Sequence, residues 1–222
     1  MRLDAAARYL QDLSDDDTRD AGLDQMTWVV RRTVIDVVQF PTYLEPVEMV
    51  TWCSGLGSRW AERRVDIRSE GGGAISSATL WVHLQSETLR PIPPGTAFQE
   101  VFSPSTQGRT ISSKLSLPAP LPSLDLVTWH PRFADFDVMN HMNNAIAFVL
   151  VEEMLARRRD LRAPLRVEVE YRSPVDPGLP LRVGGIDFIA GHDGSDRHEG
   201  WLVDDQDRCL IAFRVARPPS GL

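Results

Sequence analysis

A carboxylate, an imidazole and three carboxamides fall within eight residues, Asp137-Val-Met139-Asn140-His141-Met-Asn143-Asn144, and an apolar segment, 145–155, follows directly. Where an extended segment turns into a buried helix, backbone N–H groups are left unpaired and partial positive charge collects, a setting that polarises a carbonyl oxygen. A carboxylate a few residues upstream can activate water against that carbonyl as a general base, or attack it directly. The chemistry expected is cleavage of an ester or thioester without a serine nucleophile. Asp137 is the candidate base, and the amides around His141 to Asn143 are the candidate oxyanion donors. His141 would orient water or substrate, and Asn140 would offer a carboxamide. Asn143 and Asn144 are candidate substrate contacts. Each residue also has a plain structural reading: Asp137, Asn143 and Asn144 as turn or cap residues, and His141 as a packed histidine.

The elements that must hold this motif can be read from the apolar pattern. Leu3, Ala6, Ala7, Leu10 and Leu13 recur at helical spacing and predict an amphipathic helix over 3–14, with the acidic run Ser14 to Asp17 as a solvated end or turn. Strand-like runs at 28–40, 47–53, 60–67 and 75–84 are rich in Val, Ile, Thr and Trp, with proline or glycine between them. Residues 103–124 lack apolar periodicity and read as a linker. The order then repeats. A strand over 126–133 precedes a helix over 145–158, apolar nearly all round in its first half and so buried on most sides. Strands follow over 165–171, 181–189, 198–203 and 209–216, with one turn at Gly191 to Gly194. Two copies of a helix plus four strands amount to an internal duplication, and a helix on an antiparallel sheet is the α+β class. The first copy has no strand before Leu3, so a site at a strand-to-helix junction belongs to the second.

Bulk properties exclude several classes. A net charge of −7 argues against a nucleic-acid binder. No run is long enough to span a bilayer, and the first residues lack the apolar core of a secretion signal. Cys53 and Cys209 form neither a metal-type pair nor a disulfide framework, and His83, His130, His192 and His198 show no ligand spacing. Gly55-Leu-Gly57-Ser58 does not fit a nucleophile elbow. The expectation is a cytoplasmic protein without metal or cofactor and without nucleic-acid or membrane partners. Arg157, Arg158, Arg159, Arg162 and Arg166 form the densest basic cluster; it either docks an acidic partner or complements a helix C-terminus.

In the first half, Phe40-Pro-Thr-Tyr-Leu-Glu-Pro-Val-Glu48, Thr51-Trp52 and Arg63-Arg64 carry a resemblance. In the second half, Asp135-Phe-Asp137-Val-Met-Asn-His141-Met-Asn143-Asn144 and Glu170-Tyr171-Arg172 carry it too. Over nearly its whole length the chain resembles the double hot-dog acyl-acyl-carrier-protein thioesterases of plants and bacteria. The resemblance implies a tandem hot-dog fold, each half a long helix wrapped by an antiparallel sheet, the first half lacking its initial strand. It implies hydrolysis of a fatty acyl thioester, on acyl carrier protein or CoA, to free acid and carrier thiol without a cofactor. Residues 1–103 would form the hot dog on the acyl-chain side, 104–124 the linker, and 125–222 the catalytic hot dog. Asp137 and His141 fall on the family's acid and histidine. Two departures stand out: Met139 occupies the family's asparagine position, with the carboxamide one place later at Asn140, and Pro174 and Val175 replace a Glu-Cys pair of plant members. Around Tyr171 to Gly178 the chain resembles instead the single-domain 4-hydroxybenzoyl-CoA-type thioesterases, which rely on one Asp at the position of Asp137.

Met139 would then serve as an adaptable apolar wall for the acyl chain. A monomer is expected, since duplication supplies the pairing that single hot dogs gain by dimerising, with a homodimer as the other possibility. Two rival readings share the fold: an inactive protein that binds acyl chains or their carrier, favoured by Met139, Pro174 and Val175, and an enoyl-thioester hydratase.

Overall fold

The computed structural model describes residues 1–121, 125–157, 162–190 and 196–218. The expected turn at Gly191 to Gly194, and Arg158 and Arg159 of the basic cluster, lie outside those residues. The chain divides into two compact units, Met1 with Arg8–Leu115 and Arg2–Ala7 with Ser116–Leu222, so the division falls within the stretch read as linker.

The first unit contains most of helix α1 (Leu3–Asp20), strands β1 (Thr27–Gln39), β2 (Val47–Leu56), β3 (Trp60–Ser69) and β4 (Ala74–Leu84), and helix α2 (Thr96–Thr106). The strands pair antiparallel in the order β2-β3-β4-β1. Helix α1 runs six residues past its expected end at residue 14. Its acidic stretch stays helical because Asp16 pairs with Arg19 and Asp17 is anchored by Arg63 of β3.

Helix α2 was not expected. Phe98 and Phe102, four residues apart, bury one face of it beside Cys53 and Ala61, and Ser105 Oγ donates to the Cys53 carbonyl at 2.7 Å. It reaches three residues into the predicted linker and ends just past Pro104, where Gln107 adopts a left-handed φ of 50°.

The second unit holds β5 (Val127–Trp129), a single 3₁₀ turn (Phe133–Asp135), helix α3 (Ile146–Arg157), and strands β6 (Leu165–Tyr171), β7 (Leu181–Ala190), β8 (Asp196–Val203) and β9 (Cys209–Ala216). Their antiparallel order is β6-β9-β8-β7-β5. Strand β5 stops well short of residue 133 because Pro131 has no N–H for a ladder. Beyond it Asp135 accepts the Arg132 N–H at 2.7 Å and binds the Arg132 guanidinium, which locks the 3₁₀ turn. Helix α3 is buried as its sequence requires, Ala145, Ile146, Ala147 and Phe148 being almost fully inaccessible. Glu152, on the same helix, accepts the Leu3 N–H at 2.7 Å and pairs with Arg2, so a carboxylate sits at the N-terminus of α1.

Residues 116–118 are held as a strap. The fully buried Glu170 accepts the Ser116 and Leu117 N–H groups, Arg172 donates to the Leu117 carbonyl and to Glu170, and Trp201 Nε1 donates to the Pro118 carbonyl at 2.9 Å. Leu117 seals the arrangement in a cluster with Trp201, Val203 and Ala212. Among the described residues no helix is long and apolar enough to cross a membrane.

The β8–β9 turn is organised by Asp204. Burial alone would push its carboxyl up, but the Arg208 and Gln206 N–H groups and the Arg208 guanidinium outweigh it and hold the carboxyl below the usual carboxylate range. A carboxylate depressed in the folded chain stabilises it above the unfolded-state pKa, and that contribution is lost as pH falls through the lowered value. Asp204→Asn is therefore expected to melt below the native chain at neutral pH, with the gap closing as the pH falls through and below the usual carboxylate range. Thermal melts across that range check it; a gap that is constant with pH would contradict it.

Candidate active site

The motif from Asp135 to Asn144 folds into a tight, internally bonded loop. An isolated bridge pairs Phe136 with Met142, the Asp137 N–H donates to the His141 carbonyl at 2.8 Å, and the Asn140 N–H returns to the Asp137 carbonyl at 3.0 Å. Asn140 takes φ 61°, a left-handed conformation that asparagine tolerates better than most residues. That turn accounts for the carboxamide at 140 without any chemistry.

Asp137 is half-buried, and its two oxygens differ. Oδ1 accepts the Met139 N–H at 2.9 Å and the His141 N–H at 3.2 Å, which fixes the carboxylate plane. Oδ2 has no partner among the described residues and is available to a water or substrate proton. His141 Nε2 lies 3.5 Å from Asp176 Oδ1, both side chains being partly exposed. The loop is fastened from outside: the Met142 N–H donates to the Val175 carbonyl at 2.9 Å, the Asn143 N–H to the Asp135 carbonyl at 2.8 Å, and Tyr171 Oη donates to the Asn144 carbonyl at 2.9 Å.

These bonds correct one expectation. The amides of His141, Met142 and Asn143 were the candidate oxyanion donors, yet all three already donate within the loop, to Asp137 Oδ1, Val175 and Asp135. The helix proper begins only at Ile146, and its first N–H groups are also taken: Ala145 by Asn143 Oδ1 at 2.8 Å, Ile146 by the Asn143 carbonyl, Ala147 by that of Asn144 and Phe148 by that of Ala145. In this stretch the Asn144 N–H is left without an acceptor among the described residues. Asn143 acts as a helix cap, the structural reading weighed for it, whereas the Asn144 carboxamide has no partner among the described residues. Met139 is 69% exposed rather than lining a closed pocket, and its neighbour Val138 is more exposed still.

Two contributors were not anticipated. Asp176 follows the Pro174 and Val175 that stand at the positions of the Glu-Cys pair, and it places a carboxylate beside His141. Asp135, almost fully buried, ties the loop to Arg132. In the first unit a separate cavity of about 330 Å³ is lined by Trp28, Trp81, Phe98 and Arg63 among others.

Comparison with known proteins decides the family. The model of the acyl-ACP thioesterase N-terminal domain matches residues 1–94, and that of the acyl-ACP thioesterase C-terminal domain matches residues 124–196. An uncharacterized protein of Mycobacterium tuberculosis is 31% identical over 185 residues, 82% of this chain and 74% of the relative. The chain belongs to the acyl-ACP thioesterase family. It is accordingly a thioester hydrolase, and the activity of its family is hydrolysis of fatty acyl thioesters. Solved structures show the same fold. An acyl-ACP thioesterase from Bacteroides thetaiotaomicron superposes with a TM-score of 0.80 at 14% identity, covering 97% of this chain and 89% of that one. A 12:0-ACP thioesterase from Umbellularia californica superposes with a TM-score of 0.77 at 19% identity, with the same two coverages. The architecture of the chain is thus the α+β double hot dog.

Proposed function

We propose that the chain hydrolyses fatty acyl groups from acyl carrier protein at the loop 135–144, with acyl-CoA as a second carrier. The observation that carries this is Asp137, one oxygen pinned by two amides and the other open. Oδ2 removes a proton from water as the water oxygen bonds to the acyl carbon. The negative charge moves to the former carbonyl oxygen, which the Asn144 N–H and the Asn144 carboxamide stabilise. The C–S bond then breaks, Asp137 returns the proton to the leaving sulfur, and free acid and carrier thiol depart with the carboxylate restored. His141, steadied by Asp176, orients the water. Asn140 and Met139 lie at the open side, where the substrate enters.

The test is thiol release from acyl carrier protein and CoA thioesters of several chain lengths. Binding of acyl carrier protein without thiol release would instead support the non-catalytic reading, which the engagement of the amides at 141–143 favours. Asp176→Asn should lower kcat roughly tenfold while leaving the melting temperature unchanged, because the side chain is exposed and its partner among the described residues is His141. An unaltered kcat would remove Asp176 from the site.

A further inference from the structure

The Asn144 N–H has no acceptor among the described residues, yet the residue that bears it is held from outside its own helix. Asn143 supplies the local cap: its Oδ1 accepts the Ala145 N–H at 2.8 Å, and its carbonyl accepts the Ile146 N–H at 2.9 Å. The Asn144 carbonyl accepts the Ala147 N–H at 3.2 Å and, more closely, the Tyr171 hydroxyl at 2.9 Å. That hydroxyl belongs to a residue 27 positions further along the chain. Tyr171 is only 8% exposed and ends β6, where it pairs with Ile211 of β9. Its ring is a stiff strut between the sheet and Asn144.

A buried hydroxyl needs an acceptor, so stability alone explains that Tyr171 finds one. The choice of acceptor does more. The Ile146 bond to the Asn143 carbonyl fixes the peptide plane that carries the Asn144 N–H, and the Tyr171 bond fixes the plane that follows. Asn144 is thus clamped on both sides while its own N–H stays open. An oxyanion donor is effective to the extent that it already points where charge develops and need not reorganise. We propose that Tyr171 is a positioning residue for thioester hydrolysis, holding the Asn144 N–H on the acyl oxygen as that oxygen becomes negative. The role rests on Asn144 being the oxyanion donor. Tyr171 acts through Asn144 and only as charge appears, so its loss falls on kcat rather than on KM.

The test uses the full chain and Tyr171→Phe, which keeps the ring and removes the hydroxyl. Two substrates are compared by thiol release: a fatty acyl thioester on acyl carrier protein, and the matching dithioester, in which C=S replaces C=O. Sulfur is a weak acceptor for an N–H, so the dithioester gains little from an oxyanion donor. Relative to their rates with hydroxide, the native chain should favour the oxygen substrate by about 10²-fold. Tyr171→Phe should lower kcat for the oxygen substrate about tenfold with KM unchanged, and leave the dithioester rate nearly as it was. The preference for oxygen then shrinks about tenfold, and as a ratio of two rates on one sample it does not depend on how much of the variant is folded. An undiminished preference in Tyr171→Phe, whatever its absolute rate, would make the tyrosine merely structural and overturn the proposal while leaving Asn144 in its role. No preference in the native chain, or no thiol release by it, would remove Asn144 as the oxyanion donor and the role of Tyr171 with it.

Discussion

Asp137→Asn is expected to cut thiol release by about 10²- to 10⁴-fold while leaving the fold and carrier binding in place. The substitution is informative because the two oxygens of Asp137 have separable duties. A carboxamide oxygen at Oδ1 can still accept the Met139 and His141 N–H groups, so the loop keeps its shape. What is lost is the basic oxygen at Oδ2. Asp137→Ala, by contrast, removes both, leaves two amides without their acceptor, and should lower the melting temperature as well as the rate. Parallel measurement of kcat and thermal melting in the two variants separates the roles. Turnover near the native rate in Asp137→Asn would exclude Asp137 as the base.

Glu170→Ala should be the most destabilising single change, by about 3–5 kcal/mol, or roughly 10 °C in melting temperature for a chain of this size. Glu170 is fully buried and serves three donors at once: the Ser116 and Leu117 amides and the Arg172 guanidinium. Truncation strands all three and frees the strap 116–118 at one stroke. Glu170→Gln retains an acceptor and should lose about half as much. Calorimetry or denaturant unfolding checks this; a melting temperature within about 2 °C of native for the alanine variant would show the strap to be held by other contacts.

Much of the fold was legible because its elements depend on periodicity. Leu3, Ala6, Ala7 and Leu10 marked α1, and the fully apolar start of α3 announced its burial. Helix α2 escaped because its apolar face is only Phe98 and Phe102, set among Ser, Thr and Pro104 that resemble loop. The C-terminal extension of α1 escaped because an acidic run is a poor helix signal by itself; Arg63, 46 residues away, is what holds it. At the site, the residue types and the loop were visible in the sequence, but the hydrogen-bond economy was not. Whether the His141 to Asn143 amides are open depends on where Val175 and Asp135 present their carbonyls, and no local pattern encodes that. Asp176 lay hidden for the same reason: it approaches His141 only once β6 has placed the turn that follows it.

The carboxylate that Glu152 offers to the first turn of α1 has a consequence for biosynthesis. Arg2–Ala7 is grouped with the later half, and the partner of Leu3 is 149 residues downstream. A nascent chain leaving the ribosome therefore cannot settle its head until α3 has been made, and closing so long a loop must come late. Separate expression of a piece starting at Ser116 would leave six residues of its own unit behind, so that piece should settle only when residues 2–7 are supplied, on the first half or as a peptide.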